Sequence, residues 1–255
     1  MFAILIYCIA GLGAGIGTGL AGLSAAAVIS PMLITFLHFN AYEAIGIALA
    51  SDVLASGASA WTYYRNKNID IRGGILMLIS TLLFTLAGSW IASYVPNAAM
   101  GNFSVYMTFL LGLKFIIRPV MTTKEVNAQK TRRAKVIQSI VAGVVIGFIC
   151  GFVGAGGGMM MLLILTSILG YELKTAVGTS VFIMAFTALT GAGSHMVIGG
   201  APNWLALFVC VFATLAGALA AARFANRAGT KLLNRITGVG LAALGLAMIL
   251  VHILA

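Results

Sequence analysis

Charge is what this sequence most conspicuously lacks. Only 8% of its 255 residues are charged and only five are acidic, whereas 61% are hydrophobic. A soluble globular protein carries about 25% charged residues, so this chain could not cover its surface with groups that water solvates. Disorder is excluded too, because disordered chains combine low hydrophobicity with high net charge. The sequence therefore predicts one polytopic integral membrane protein and not a soluble enzyme.

Cysteine is scarce as well, and the chain shows no cofactor motif that its surroundings support. Cys8, Cys150 and Cys210 each lie inside an apolar run, and their spacing fits neither a zinc site nor a disulfide framework. Residues 17–22 match the pattern G-x-G-x-x-G, but the strand and solvent-facing helix of a dinucleotide site do not surround them. The first residues carry no basic segment, so we expect no cleavable signal peptide. We expect no cofactor and no metal.

Long apolar stretches fill most of the chain. Six have about the length of one membrane crossing, which is roughly 20 residues; they are 42–64, 72–94, 99–118, 174–196, 202–225 and 230–254. Two others, 2–38 and 134–170, would form straight helices of about 55 Å, against a hydrocarbon core of about 30 Å. Glycine-rich runs at 17–24 and 151–158 interrupt them. Each long stretch is therefore predicted to be a glycine-broken helical hairpin, either re-entrant or a pair of short crossings.

The two halves of the chain repeat. A shift of 132 residues places one set of glycines on another, and a shift of 129 places Thr85–Gly88 on the identical Thr214–Gly217. The superposed glycines are Gly15, Gly19, Gly22 and Gly46 on Gly147, Gly151, Gly154 and Gly178. We predict a first membrane repeat at 1–118, a cytoplasmic linker at 119–134 and a second membrane repeat at 135–255.

The basic residues indicate how the halves are oriented. If each hairpin returns to its starting side, the second half is inverted and all 15 Lys and Arg lie on one side of the membrane; if each long stretch crosses once, five of them lie outside. Cytoplasmic loops collect Lys and Arg, which favours the first arrangement. The fold class predicted is an all-α polytopic membrane protein with two inverted-topology repeats, each a hairpin plus three transmembrane helices. The net charge of +10 is then a topology signal, and no nucleic-acid partner is expected.

The hairpin tips are the first candidates for a binding site. The first amides of a helix have no partner within it, and they form the positive end of its dipole. Two such ends meeting near the midplane would hold an anion, although glycines can equally serve close helix packing. The candidate substrate-binding residues are Gly22, Leu23, Ser24, Gly154, Ala155, Gly156 and Gly157 at the tips, with the hydroxyl-bearing Ser51, Thr179 and Ser180.

Asp52 is the one acidic residue deep in an apolar stretch. Intramembrane acids are rare and often functional, so Asp52 is a candidate for proton or cation coupling; a protonated carboxyl held by neighbouring hydroxyls is the structural alternative. A channel would use the same hairpins around a pore. A membrane enzyme is disfavoured, because His38, His195 and His252 fall on the outer side without an evident partner carboxylate.

Two segments resemble a known family. Residues 147–158, with the sequence GFICGFVGAGGG, and residues 176–180, with the sequence AVGTS, are similar to the sulfite exporter TauE/SafE family. The first half differs, since Ser24–Ala26 stands where the second has Gly156–Gly158. The resemblance implies a multi-pass transporter of the bacterial inner membrane. It implies a small anionic substrate such as sulfite or an organosulfonate, often moved outward. It leaves the oligomeric state open.

Overall fold

The computed structural model describes residues 1–96, 132–154 and 157–229, together with scattered single residues between 99 and 117 and between 232 and 250. The predicted crossings at 99–118 and 230–254, and almost all of the predicted linker at 119–134, lie outside the described residues. Within the described part every regular element is helical. The part of the chain that the structure describes is thus all-helical, as the sequence predicted.

Six helices are long and apolar enough to cross a membrane. They are α1 (Phe2–Ala21), α3 (Ala41–Arg65), α4 (Ile71–Ala92), α5 (Arg132–Val153), α7 (Leu173–Gly199) and α8 (Trp204–Arg227). Four of them match the predicted single crossings to within a few residues. Two shorter helices follow α1 and α5. A 3₁₀ turn at Ala25–Ala27 leads into α2 (Ile29–Leu37), and α6 (Gly157–Leu163) continues as a π-helical turn at Ile164–Ile168.

Both long apolar stretches break at a glycine in the left-handed region. Gly22 follows α1 with φ 64°, and Gly154 follows α5 with φ 70°. Side chains rarely tolerate this conformation, whereas glycine adopts it freely and commonly ends helices with it. The amides of Gly22 and Leu23 close the end of α1 on the carbonyls of Thr18 and Gly17. The helix breaks therefore fall inside the two glycine runs that the sequence singled out.

Glycines also bring helices from opposite halves of the chain together. In α1, Gly15 lies against the backbone of Thr214 in α8, and in α5, Gly147 lies against the backbone of Thr81 in α4. A Cβ atom at either glycine would overlap the neighbouring carbonyl. Such small residues let helix backbones approach closely in membrane proteins. Helix α1 thus packs along α8, and helix α5 packs along α4.

Four helix ends meet at one end of the bundle. The Asn68 side chain donates to Asn226 Oδ1 at 2.8 Å, and Lys174 Nζ donates to the Asn226 carbonyl at 2.8 Å. Tyr171 donates its hydroxyl to Asp70 Oδ2 at 2.8 Å, and burial raises the pKa of Tyr171, so it remains a donor. We call this the basic end, because α3, α4, α7 and α8 carry Arg65, Lys67, Arg72, Lys174, Arg223 and Arg227 here or next to it.

Candidate functional site

The two helix breaks meet in the middle of the protein. Ser24 Oγ, from the first break, donates to the Gly154 carbonyl of the second at 3.0 Å. Gly158 packs against the backbone of Gly22, Leu23 and Ser24, where a Cβ atom would not fit. Residues that are about 130 positions apart in sequence therefore form one buried junction, which we call the tip junction (Gly22–Ala26 with Gly154, Gly157 and Gly158).

Asp52 contributes a carboxyl group to this junction. Its side chain is fully buried, halfway along α3. Oδ2 accepts a hydrogen bond from the amide of Ala25 at 3.0 Å, and Oδ1 accepts one from Ser56 Oγ at 2.7 Å. The Ala25 amide is the first of the 3₁₀ turn that follows the break. A carboxylate oxygen thus lies where the exposed amides of a helix start attract negative charge.

Ser24 satisfies the next amide of the same turn. Its hydroxyl oxygen accepts a hydrogen bond from the Ala26 amide at 3.3 Å, while its proton goes to Gly154. One serine therefore caps the turn that follows the first break and contacts the second break. This is the role expected of an N-cap serine, with the additional contact across the junction.

Of the remaining predicted site residues, Ser180 lies at the tip junction, whereas Ser51 and Thr179 make contacts elsewhere. Ser180 lies against Gly22 and donates to the Val177 carbonyl at 2.8 Å, so it belongs to the tip junction. Ser51 instead donates to Ile47 O within its own helix at 2.8 Å. Thr179 Oγ1 accepts from the Asp70 amide at 3.0 Å, towards the basic end. Gly157 packs against Cys150. Ala155 and Gly156 lie outside the described residues.

The junction is built from small residues and hydrogen-bond donors. No group of three or more His, Cys, Asp and Glu that could hold a metal occurs among the residues that the structure describes. The named donors are the amides of Ala25 and Ala26 and the hydroxyls of Ser24 and Ser56, and each donates to an oxygen of the protein in this structure. Such donors stabilise negative charge without adding a fixed positive charge.

Two residues that sequence reasoning left out of the site border the junction. Tyr63, buried near the end of α3, donates its hydroxyl to the Gly19 carbonyl at 3.1 Å. His195, in α7, places Nε2 3.0 Å from the Gly151 carbonyl, one turn before the second break. In the sequence, Tyr63 looks like an aromatic residue at the membrane interface. His195 is distinguished in the sequence only by its position near a helix end.

A cavity opens at the end of the bundle opposite the basic end. It has a volume of about 490 Å³, and residues at the start of α3, the end of α4 and the end of α7 line it. We call it the vestibule; its lining includes Asn40, Tyr42, Glu43, Ser93, Ile198 and Gly199. A void of about 20 Å³, shared by Tyr42, Glu43 and His195, lies next to it. The vestibule thus reaches towards the second helix break.

Known proteins resemble this chain along most of its length. Residues 7–248 match the sulfite exporter TauE/SafE family. The probable membrane transporter protein YunE of Bacillus subtilis is 27% identical, with 97% of each chain covered. YdhB, a probable membrane transporter protein of the same organism, is 22% identical over 83% of this chain and 86% of its own. YfcA, a probable membrane transporter protein of Escherichia coli, is 24% identical over 73% and 70%.

The family match covers nearly the whole chain, and the described helices include six that are able to span a membrane. Both glycine breaks and the contact between them fall inside the matched region. This multi-pass membrane protein belongs to the sulfite exporter TauE/SafE family of membrane transporters.

Proposed function

We propose that this protein transports small sulfur-containing anions, such as sulfite or organosulfonates, across a bacterial inner membrane, and that the anion binds at the tip junction. The observation that carries the proposal is the hydrogen bond from the Ala25 amide to Asp52 Oδ2. A carboxyl oxygen of this chain already accepts the first amide of the turn behind the first break. The family description supplies the sulfur chemistry of the substrate.

We also propose that the two halves are inverted repeats and that each hairpin returns to the side where it began. The reciprocal packing supports this, because α1 lies on α8 as α5 lies on α4. The contact between Asn68 and Asn226 supports it too, because it joins the start of α4 to the end of α8, the helix that corresponds to α4 in the second half. In a chain whose halves had the same orientation, these residues would lie on opposite sides of the membrane.

Export is the direction that the membrane potential favours. A monovalent anion leaving an inside-negative cell gains about 2.3 kcal/mol per 100 mV. A site made of amides and hydroxyls, without a fixed cation among the contacts described, both binds an anion and releases it. Efflux is therefore expected without a coupling ion.

A cation- or proton-coupled transporter or channel that uses Asp52 is the second candidate. The observation that favours it is the burial of the Asp52 carboxylate beside Ser56, since carboxylate and hydroxyl oxygens also bind small cations. Under this alternative the Asp52 carboxyl group itself binds the cation or proton.

Thermal unfolding of the purified protein with added ligands separates the two. We expect sulfite or a short sulfonate to raise the unfolding temperature, and sodium, matched in ionic strength with chloride as its counter-ion, to leave it unchanged. Ser24→Ala, which removes the bond across the junction, should reduce the anion effect, whereas Ser93→Ala, at the exposed end of α4, should preserve it. Stabilisation by a cation alone would support the second candidate.

Proteoliposomes test transport itself. Vesicles loaded with labelled sulfite or sulfonate, with a membrane potential but no proton gradient, should release the anion, and Ser24→Ala should slow that release. An absence of efflux until a proton gradient is added would contradict the uncoupled mechanism and favour coupling at Asp52.

A further inference from the structure

His195 lies between two backbone carbonyls that belong to two other helices. Its Nδ1 is 3.2 Å from the Tyr42 carbonyl in α3, and its Nε2 is 3.0 Å from the Gly151 carbonyl in α5. The residue itself is 2% exposed. Three helices thus meet at one imidazole ring.

The two carbonyl contacts bear on how many protons the imidazole ring of His195 carries. A carbonyl oxygen only accepts, and a neutral imidazole has one N–H donor and one acceptor nitrogen. A neutral ring here would turn a lone pair towards one of the two oxygens, whereas an imidazolium donates to both. With one proton the ring donates to one of the two carbonyls; with two it donates to both, at the cost of burying a charge.

We propose that His195 is a proton-binding site on the vestibule side, and that the bound proton holds the outer ends of α3, α5 and α7 together. The proton-binding site does not depend on the proposed transport function. Its consequence does rest on that function, because movement of these helices would open and close the transport route. The proposal of proton binding rests on the two carbonyl contacts.

Contacts around the ring tie the same helices together. The Tyr42 ring stacks on His195 with centroids 4.1 Å apart, and the Tyr42 hydroxyl donates to the Ser89 carbonyl in α4 at 3.1 Å. Ser89 Oγ in turn donates to the Gly151 carbonyl at 3.2 Å. The closed circuit of Tyr42, Ser89, Gly151 and His195 separates the vestibule from the second helix break.

A proton can reach the ring from the vestibule. The void of about 20 Å³ beside His195 has room for about one water molecule, and it shares Tyr42, Glu43 and Gly199 with the vestibule. The negative end of α7, four residues away at Gly199, favours a cation here.

Among the described residues, the groups around the ring include one carboxylate, Glu43, and no cation. From α3, the titratable side chains facing it are Tyr42 and Glu43, whose carboxylate accepts the Asn203 amide at 2.9 Å. From α4 and α5, the contacts are Ser89 and Gly151. The thiol of Cys150 lies one position before Gly151. The 200–203 segment contributes Gly200 and Pro202, which do not titrate. On α7 itself, the only other titratable residue is Lys174, at the basic end.

We call the arrangement in which His195 contacts both carbonyls the closed arrangement. Proton binding and this arrangement strengthen each other. If α5 moves so that Gly151 leaves Nε2, the ring loses one of the two acceptors that stabilise the imidazolium, and the proton is released to the vestibule. By linkage, external acid favours the closed arrangement to the same extent that closure favours the proton. The proton enters and leaves on one side, so it controls access without being carried across.

Nuclear magnetic resonance of protein labelled with ¹⁵N-histidine tests the site without any substrate. At about pH 6, near the ordinary histidine range, we expect both ring nitrogens of His195 to be protonated. His195→Asn assigns the signal by its loss. His38→Asn is the matched control, because His38 is exposed and adopts a left-handed conformation that asparagine tolerates. A signal from a neutral ring with one N–H at that pH would overturn the proposal, and the wild-type spectrum decides even if His195→Asn does not fold.

Efflux from proteoliposomes tests the consequence. Lowering the external pH from about 8 to about 6 should slow wild-type and His38→Asn efflux severalfold, and His195→Asn should lose this dependence. Wild-type efflux that is equally fast at both values would refute control of access by the proton. If no sulfur-containing anion is transported at all, the proposed substrate fails, while the resonance measurement still decides the proton site.

Discussion

At the scale of single residues, Asp52 has two roles that pull in opposite directions. Its carboxylate satisfies the Ala25 amide, which stabilises the first hairpin, and it places negative charge where the proposed substrate anion would bind. The sequence made Asp52 a candidate for proton or cation coupling and left a structural role open. It could not indicate the partner, because Ala25 reaches Asp52 only after α1, the break and α3 have packed together.

Asp52→Asn separates the two roles. The amide side chain keeps an oxygen that can accept from Ala25, and it removes the negative charge, so we expect the protein to fold and to bind sulfite or a sulfonate severalfold more tightly. Affinity is measured by ligand titration of the unfolding temperature. Ser56→Ala is the control, because it removes the other hydrogen bond to Asp52 without changing charge. Weaker anion binding by Asp52→Asn, with Ser56→Ala unchanged, would contradict the assignment.

At the scale of elements, the glycine breaks and the glycine contacts differ in how far the sequence could predict them. The breaks follow from length and composition, since a 37-residue apolar helix does not fit the bilayer and glycine is the residue that ends it. The sequence located both breaks. It allowed that glycines serve close packing but did not specify the partner helix, because such contacts depend on tertiary arrangement and any apolar helix offers a similar surface.

Gly147→Ala tests the contact between α4 and α5. The added methyl group would meet the Thr81 carbonyl, so we expect a loss of stability of about 1 to 3 kcal/mol. Gly193→Ala in α7 is the matched control, because no atom lies within 4 Å of its Cβ position. That variant should be neutral or slightly more stable, since alanine favours a helix over glycine. The measurement is unfolding of the purified variants in one detergent, and equal stabilities would rule out the close approach.

At the scale of the whole molecule, the bundle has one basic end and one end with the vestibule. Cytoplasmic loops collect Lys and Arg, so we expect the basic end to face the cytoplasm. The sequence predicted this distribution from charge alone, without any knowledge of which helices touch. What it could not predict is the vestibule, because a cavity depends on how far helix ends separate and not on their composition.

Labelling of introduced cysteines tests the orientation of the halves. In a background with Cys8, Cys150 and Cys210 replaced, Asn66→Cys and Gly229→Cys should react with a membrane-impermeant thiol reagent only after the membrane is opened. Ala201→Cys, at the opposite end, should react in intact cells. All three positions are exposed. If Asn66→Cys and Gly229→Cys react from opposite sides, the halves are not inverted.

The packing of α1 against α8 has a consequence for how the protein is made. Cys210 in α8 contacts the Tyr7 carbonyl in α1, 203 positions earlier in the chain. At a synthesis rate of about 5 to 20 residues per second, α1 waits roughly 10 to 40 s for its partner to leave the ribosome. During that interval its glycine face has only lipid or insertion machinery to cover it. Completion of the bundle is therefore a late event, and a chain truncated before α8 leaves its first helix without its principal neighbour.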